Sequence, residues 1–246
     1  MSCTDPELRY LRRTPAGAEY VDKITSQESD RRTRAAFRDL VLKLAPPGAT
    51  LFDFGAGPGI DARFFAERGF MVNAYDVDPR MREFFADHCR DLMELGKVTL
   101  GAAAYSEFLA RTTPDDQRRA DLVISNFAPL NLVDDLRQLF GKFNALTSPQ
   151  GRILASVLSP WYTGDLRSRL WWRDAPRLWR NGEAFLPGPQ APHYRRLLRS
   201  FRAAGAPHFR LSRIFNGNDP HREVFAWLRA ARCRYLFLLF EKTVRQ

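Results

Sequence analysis

The residues with the clearest chemical pattern are three alternating glycines placed between two acids. Asp53 stands two residues before the first glycine, and Asp76 closes the apolar run that follows. The glycines are Gly55, Gly57 and Gly59. Glycine lets a backbone turn sharply and approach a ligand closely, and an acid at the end of the next strand accepts hydrogen bonds from a ribose diol. The stretch therefore predicts a site for a ribose-bearing nucleoside.

Two common nucleotide motifs fit this stretch poorly. A dinucleotide fingerprint reads G-x-G-x-x-G, but Ile60 stands where its third glycine would be. A P-loop needs a lysine directly after its last glycine, and the sequence continues instead with "IDARFF". Neither motif is favoured.

The elements that must position these residues follow an alternating pattern. "ATLFDF" (49–54) and "FMVNAYD" (70–76) are strand-like, and "IDARFFAERG" between them has helical apolar spacing. Strands and helices continue to alternate downstream, which predicts a doubly wound α/β sheet in a single domain, 1–246. We expect an N-terminal helical cover over 19–47. The further predicted helices are 79–95, 131–146, 193–205 and a short one from 221, with two more inside 159–192, the second opened by Pro176.

Four stretches resemble motifs of class I S-adenosylmethionine-dependent methyltransferases. They are "DFGAGPG" (53–59), "AYDVDPRM" (74–81), "ADLVISNFAPLNLV" (120–133) and "PQGRILASVLSP" (149–160). The resemblance implies a Rossmann-like, seven-stranded, mostly parallel sheet of order 3-2-1-4-5-7-6, with the last strand, "RYLFLLFEKT" (234–243), antiparallel. It also implies S-adenosyl-L-methionine as cofactor. Residues 159–192, after the fifth strand, are predicted to form an Arg/Trp-rich lid.

The same resemblance implies roles for single residues of the cofactor site. The three glycines would lie against the methionine part of the cofactor, with Asp53 near its amino group. Asp76 would bind the ribose hydroxyls. The remaining cofactor residues follow from the later motifs and the N-terminal helix: Val77 against adenine, Asn126 and Phe127 facing the cofactor and the reacting atom, and Tyr20 as an aromatic cover.

Positive charge and tryptophan are concentrated in one part of the chain. The net charge is +10, and residues 161–213 hold eleven Arg, no Lys and only three acids, with four of the five Trp. We favour a small-molecule pocket here, and its predicted substrate-binding residues are Trp161, Tyr162, Trp171 and Trp172. Nucleic acid is a second partner that such residues would suit. An anionic membrane surface or an acidic carrier protein is a third.

Histidines supply the candidate general bases. His193 and His221 flank the predicted lid, and histidine titrates near neutral pH. His88 falls among polar helix residues and is expected to be solvated. The spacing of His, Cys and Asp predicts no metal site.

The favoured function is a methyltransferase that acts by direct in-line transfer on a small molecule or lipid-like metabolite, with O-methylation preferred. The fourth-strand sequence "NFAP" (126–129) departs from the Asn-Pro-Pro-Tyr pattern of many base amino-methyltransferases. An RNA (tRNA or rRNA) methyltransferase and a non-catalytic nucleoside-binding module are the alternatives. The longest apolar run, "YLFLLF" (235–240), is too short to span a bilayer, and three scattered cysteines suggest a reducing cytoplasm.

Overall fold

The computed structural model describes residues 27–101, 104–111, 119–186, 193–217, 219–223 and 233–243. Tyr20 and the beginning of the predicted N-terminal cover lie outside these residues. The chain divides into two compact units, 1–124 and 125–246, which are described in turn.

The first unit alternates helices and strands as predicted. Its helices are α1 (Glu28–Leu44), α2 (Ile60–Ala66), α3 (Pro79–His88), α4 (Arg90–Glu94) and α5 (Tyr105–Ala110). Its strands are β1 (Thr50–Phe54), β2 (Met71–Tyr75), β3 (Val98–Gly101) and β4 (Ala120–Ser125). The single helix predicted over 79–95 is two helices, because the chain leaves helical geometry at Cys89.

The parallel pairing of β1 explains how distant residues reach one edge. β1 is buried along its whole length and pairs in parallel with β2 and with β4. The register places Asp53 opposite Ala74 and Phe54 opposite Tyr75. Since parallel strands end at the same edge of a sheet, the glycine loop (55–59) and Asp76 leave the sheet side by side.

The second unit begins near the end of β4. Its helices are a 3-10 turn (Pro129–Leu132), α6 (Leu136–Leu146), a second 3-10 turn (Thr163–Arg167), α7 (Arg169–Asn181) and α8 (Leu198–Gly205). Its strands are β5 (Thr147–Leu158), β6 (Glu183–Leu186), β7 (His193–Arg196), β8 (Phe209–Asn216), β9 (Asp219–Glu223) and β10 (Tyr235–Lys242). The apolar run of β10 is buried and pairs antiparallel with both β5 and β8.

The strand order of the main sheet is β3-β2-β1-β4-β5-β10-β8-β9. It confirms the predicted Rossmann-like order, with the predicted sixth and seventh strands corresponding to β8 and β10. The sheet has one more edge strand than predicted. The prediction of a short helix from His221 is wrong over 221–223, because the segment 219–223 is a strand that pairs with β8.

Two further expectations fail around the predicted lid. The two short helices are one helix, α7, with Pro176 in its interior. The helix continues through the proline because Trp171, Ala175 and Leu178 form one buried stripe at helical spacing. Residues 193–196 are not helical, since β7 pairs with β6 in a separate two-stranded sheet. Among the described residues every helix is too short or too polar to cross a bilayer.

Candidate functional site

The glycine loop is held by the end of β2. The amides of Gly55 and Ala56 both donate to the carbonyl oxygen of Tyr75, at 2.8 and 3.1 Å. All three glycines of the loop have positive φ, which is costly for a residue with a side chain. These contacts fix the loop as a rigid turn between β1 and α2.

Asp76 completes the attachment of the loop. Its Oδ2 accepts a hydrogen bond from the Gly57 amide at 2.7 Å, and its Oδ1 accepts one from the Asp78 amide at 2.9 Å. Burial raises the pKa of this carboxyl, although the two amides oppose the shift. A carboxylate has about four acceptor positions, so capacity for a ribose diol remains. The neighbouring Val77 is exposed, as a surface for adenine would need to be.

The three glycines differ in what surrounds them. A methyl group added to Gly57 would meet no described atom within 4 Å. A methyl group on Gly59 would lie 2.8 Å from both the Cys89 Sγ and a ring carbon of Phe85. Gly57 therefore leaves space for a ligand, whereas Gly59 is needed for close packing of α3 against the start of α2.

Asp53 is a buried carboxyl with unused acceptor capacity. It is only 3% exposed, and its Oδ2 has no hydrogen-bond partner among the described residues. Burial raises its pKa well above the usual range, and the nearby Asp61 and Asp76 carboxylates raise it further. A buried unpartnered carboxyl oxygen is costly unless a ligand satisfies it. Asp53 thus fits a cationic ligand group.

Asp61 anchors the N-terminal helix to the glycine region. Its two oxygens accept from Arg34 Nη1 and Arg38 Nε, each at 2.7 Å, and Arg38 also donates to the Ile60 carbonyl. This ion-pair cluster was not predicted. The sequence offers only an acid in a first helical turn, which the helix dipole alone would explain.

The chemistry of the loop favours a cation over a phosphate. Helix N-termini bind phosphates through free amides, but the amides of Gly55, Ala56 and Gly57 are used within the protein. Instead, the carboxylates of Asp61 and Asp76 lie near enough to Asp53 to raise its pKa. S-adenosylmethionine carries an ammonium and a sulfonium, and the carboxylates present fit these two positive groups. Among the described residues, no His, Cys, Asp and Glu group could hold a metal ion.

His88 is buried, and the expectation of a solvated side chain is wrong. It lies at the end of α3, where the Arg63 guanidinium donates to its carbonyl at 2.6 Å. Burial lowers the pKa of His88 to about 4, so its imidazole is neutral at physiological pH. Burial likewise raises the pKa of the neighbouring Cys89 to about 12, which makes this thiol unreactive.

In the second unit, the residues after β4 adopt an unusual backbone. Phe127 and Ala128 both have positive φ, at 61° and 66°. The Asn126 side chain accepts from the Phe127 amide at 2.9 Å, and the Phe127 ring packs edge-on against Tyr235. Left-handed non-glycine residues concentrate at functional sites. This observation supports the prediction for Asn126 and Phe127 without testing it.

Two buried residues hold this segment in place, and sequence reasoning missed both. Asn131 donates to the Tyr194 carbonyl and accepts from the Leu158 amide. The Arg196 guanidinium donates to three carbonyl oxygens of the same segment, at 2.6 to 3.0 Å. The sequence signal was weak, because an arginine in an arginine-rich stretch does not reveal that it is buried.

The predicted substrate-binding tryptophans form a chain of ring contacts. The Trp161 ring lies 6.1 Å from that of Trp171, which in turn lies 4.9 Å from that of Trp172. Trp179, which was not predicted, contacts Trp161 at 5.1 Å. Tyr162 directly follows Trp161 and is half-buried. The structure brings these residues together, and their role with a substrate stays a prediction.

The two candidate bases lie on different strands. His193 is the first residue of β7, opposite Leu186 in β6. His221 lies within β9. Nothing in the geometry of the described residues tests either as a base.

A methyltransferase domain family matches residues 29–206, which is more than half of the chain. The chain belongs to this methyltransferase family. The prediction of a class I S-adenosylmethionine-dependent methyltransferase is thereby confirmed for family, fold and enzyme class. No curated protein sequence matches the chain.

Solved structures of methyltransferases share the fold at low sequence identity. A 1,6-didemethyltoxoflavin-N1-methyltransferase from Burkholderia thailandensis is 21% identical, with a TM-score of 0.59, and the match covers 97% of this chain and 90% of that one. A geranyl diphosphate C-methyltransferase from Streptomyces coelicolor is 16% identical, with a TM-score of 0.59 and coverage of 96% and 84%. An S-adenosylmethionine-dependent methyltransferase from Mesorhizobium loti is 19% identical, with a TM-score of 0.61 and coverage of 85% and 97%. At these identities the likeness concerns the fold.

Proposed function

We propose that this methyltransferase transfers a methyl group from S-adenosylmethionine to an oxygen of a small molecule or lipid-like metabolite. The observation that carries the donor assignment is the acid-lined glycine loop. Its amides are satisfied internally, while the buried Asp53 keeps an unpartnered oxygen. Such a site suits a donor with two positive groups and no phosphate.

Each donor contact follows from the residue chemistry. The ammonium group would donate to Asp53, which restores a hydrogen bond to its buried oxygen. Asp76 would accept from the ribose hydroxyls while still holding the Gly57 amide. When bound, S-adenosylmethionine supplies a methyl carbon already activated by a positive sulfur, so the protein mainly aligns the reactants and excludes water.

Three observations support the proposed acceptor class. The Trp161 and Trp171 rings form an apolar cluster that suits a small or lipid-like molecule. Two structural relatives are named for small acceptors, 1,6-didemethyltoxoflavin and geranyl diphosphate. They are named as an N1- and a C-methyltransferase, so the fold does not determine the acceptor atom. The preference for an oxygen acceptor comes from the "NFAP" sequence after β4, which departs from the Asn-Pro-Pro-Tyr pattern of many base amino-methyltransferases.

A hydroxyl acceptor must lose its proton during transfer. His193, at the start of β7, is the candidate base, with His221 as the other. If His193 takes the proton, His193→Ala should lower kcat with little change in KM for the acceptor. A carboxylate acceptor would need no base, and the same variant should then keep its kcat.

Calorimetry tests the donor assignment. S-adenosylmethionine and its demethylated product should both bind and raise Tm, since ligands that bind only the native state stabilise it. NAD and ATP should do neither. Stabilisation by NAD alone would refute the proposed donor.

An acceptor screen tests the substrate class. The purified protein would be incubated with S-adenosylmethionine labelled in its methyl group and with panels of hydroxylated, carboxylated and isoprenoid compounds. A Trp161→Ala variant should lose transfer to the accepted compound and keep its Kd for the donor, because Asp53 and Asp76 hold the donor. Efficient labelling of tRNA or rRNA, with no small compound accepted, would favour the RNA alternative. A protein that binds the donor but transfers to no acceptor would favour the non-catalytic module.

A further inference from the structure

Helix α7 has two chemically different sides. Its inner side buries Trp171, Ala175 and Leu178 within the second unit. Its outer side exposes two tryptophans, Trp172 at 60% and Trp179 at 63%. The two lie seven residues apart, which places them on the same side of the helix two turns from one another. Large exposed aromatics on one helix side are a marker of an interaction surface.

The outer side of α7 is also strongly cationic. Its arginines are all exposed: Arg169, Arg173, Arg177 and Arg180. The helix contains one acid, Asp174, which is buried and paired with Arg173 at 2.9 Å. The outer side therefore displays arginine and tryptophan with no exposed acid between them.

Neighbouring residues extend and brace this surface. Phe185 in β6 is 54% exposed and packs against Tyr194. The Arg199 guanidinium donates to the carbonyl oxygens of Trp179 and Arg180, which caps the end of α7. A cation at this position also interacts favourably with the helix dipole. The surface is thus presented by a capped helix rather than by a loop.

We propose that this outer face of α7 docks the protein on an anionic phospholipid membrane. The face is defined by Arg169, Trp172, Arg173, Arg177, Trp179 and Arg180. Tryptophan is favoured at the headgroup level of a bilayer, and each arginine near an anionic leaflet adds to the attraction. Because the apolar side of α7 is already buried in the protein, the contact is peripheral and reversible. The proposal does not depend on the methyl acceptor.

The shape of the face favours a membrane over nucleic acid. Proteins that bind single strands place their aromatics in a positive groove that follows the phosphate backbone. Here Trp172 and Trp179 stand on the convex side of a helix, with the arginines beside them along its length. A helix lying flat on a charged plane can engage all of these side chains at once.

Vesicle binding by the full-length protein tests the proposal. The probes are vesicles of phosphatidylcholine alone and vesicles that also contain phosphatidylglycerol. We expect co-sedimentation with the anionic vesicles only, a blue shift of tryptophan fluorescence, and weaker binding as salt increases. Arg177→Ala combined with Arg180→Ala should lower the partition coefficient about 25-fold, since each arginine accounts for about fivefold. Trp179→Ala should lower it as well.

A matched control separates the contribution of this face to vesicle binding from that of the net charge of the protein. Arg210→Ala combined with Arg213→Ala removes the same charge from exposed positions on β8, and its partition coefficient should stay near that of the unmodified protein. Equal loss in the two double variants, or equal binding to both kinds of vesicle, would overturn the proposal. Tighter binding to a single-stranded RNA oligomer or to polyglutamate than to anionic vesicles would also overturn it. Those results would indicate that the face binds nucleic acid or an acidic protein.

Discussion

The glycine region and the outer face of α7 both concentrate charge, but they differ in how the charge is solvated. Around the glycine loop, Asp53, Asp61 and Asp76 are buried. Asp61 pairs with two arginines, and Asp76 accepts from two backbone amides. On α7, the arginines lie in water, and Asp174 is the buried partner. Buried charges respond strongly to a single change because nothing replaces a lost partner. Exposed charges act together on a distant partner and matter little one at a time.

The difference indicates how each region of this methyltransferase should respond to substitution. The glycine region depends on a few atoms held within hydrogen-bond distance, so one substitution there should change stability, or binding of the proposed donor, measurably. The proposed docking face on α7 depends on a sum of similar contributions, so each substitution should lower vesicle binding by a modest factor and the losses should add. The following predictions test that contrast, from the largest expected effect to the smallest.

Removal of the Asp61 carboxylate should have the largest effect on stability. Asp61→Ala removes the buried carboxylate that accepts from Arg34 and Arg38, so the free energy of unfolding should fall by about 3–5 kcal/mol. Urea denaturation measures the change. Adding Arg38→Met should recover part of the loss, because it removes a buried charge that has lost its counter-ion Asp61.

The matched control for Asp61 is an exposed ion pair on α1, the helix that carries Arg34 and Arg38. Glu28 pairs with Arg31 and Arg32 in water, and Glu28→Ala should barely change stability. If Glu28→Ala and Asp61→Ala lower the free energy of unfolding equally, the contrast between buried and exposed charge is wrong for this unit.

The two glycines should respond differently to alanine. Gly59→Ala forces a methyl group into Phe85 and Cys89 at positive φ, and should cost about 2–5 kcal/mol in unfolding free energy. Gly57→Ala has only the φ cost, about 1–2 kcal/mol, but should weaken donor binding by filling the open space. Thermal unfolding and calorimetry separate the two effects. A larger stability loss at Gly57 than at Gly59 would contradict the assignment.

Asp76→Ala should weaken donor binding about 10- to 150-fold, the value of a charge-assisted contact at roughly 1.5–3 kcal/mol. Part of the loss will come from the glycine loop, since the variant also frees the Gly57 amide. Asp76→Asn keeps one acceptor oxygen and should bind the donor better than Asp76→Ala. Equal and unchanged Kd values in calorimetry would show that Asp76 does not contact the donor.

A small change in stability, of the opposite sign, is expected at Asp53. Because burial raises the pKa of Asp53 above its unfolded value, its contribution to stability is greatest below pH 3.8 and is lost as pH rises through the folded pKa. Asp53→Asn should therefore make the ligand-free protein slightly more stable at neutral pH. Denaturation curves recorded across pH check this.

The same residue should link donor binding to pH. The donor ammonium favours ionised Asp53, so affinity should increase with pH through the folded pKa, by no more than about tenfold per pH unit for one proton. Asp53→Asn should bind more weakly and with a flatter pH profile. A pH profile identical to that of the unmodified protein would place the ammonium elsewhere.

Much of the glycine region could be predicted because its signals are local. The alternating glycines, Asp53 and Asp76 lie within one strand–helix–strand unit, and each has a sequence cue tied to backbone geometry. The strand order followed from the family resemblance. The secondary structure of the predicted lid and of the residues after it was predicted less well: α7 continues through Pro176, and β7 replaces the start of a predicted helix. In α7, burial of one side outweighed the tendency of Pro176 to interrupt a helix. In β7, pairing with β6 outweighed the helical propensity of the sequence.

The sequence by itself determined the family, the glycine turn and the identity of the acids that border it, because positive φ and strand alternation depend on residue type and spacing. Only the tertiary structure decided which charges are buried. It paired Asp61 with Arg34 and Arg38, buried Arg196 among carbonyl oxygens, and left Arg177 and Arg180 in water. The physical reason is that the cost of burying a charge depends on its partners, and these partners lie 20 or more residues away in the chain.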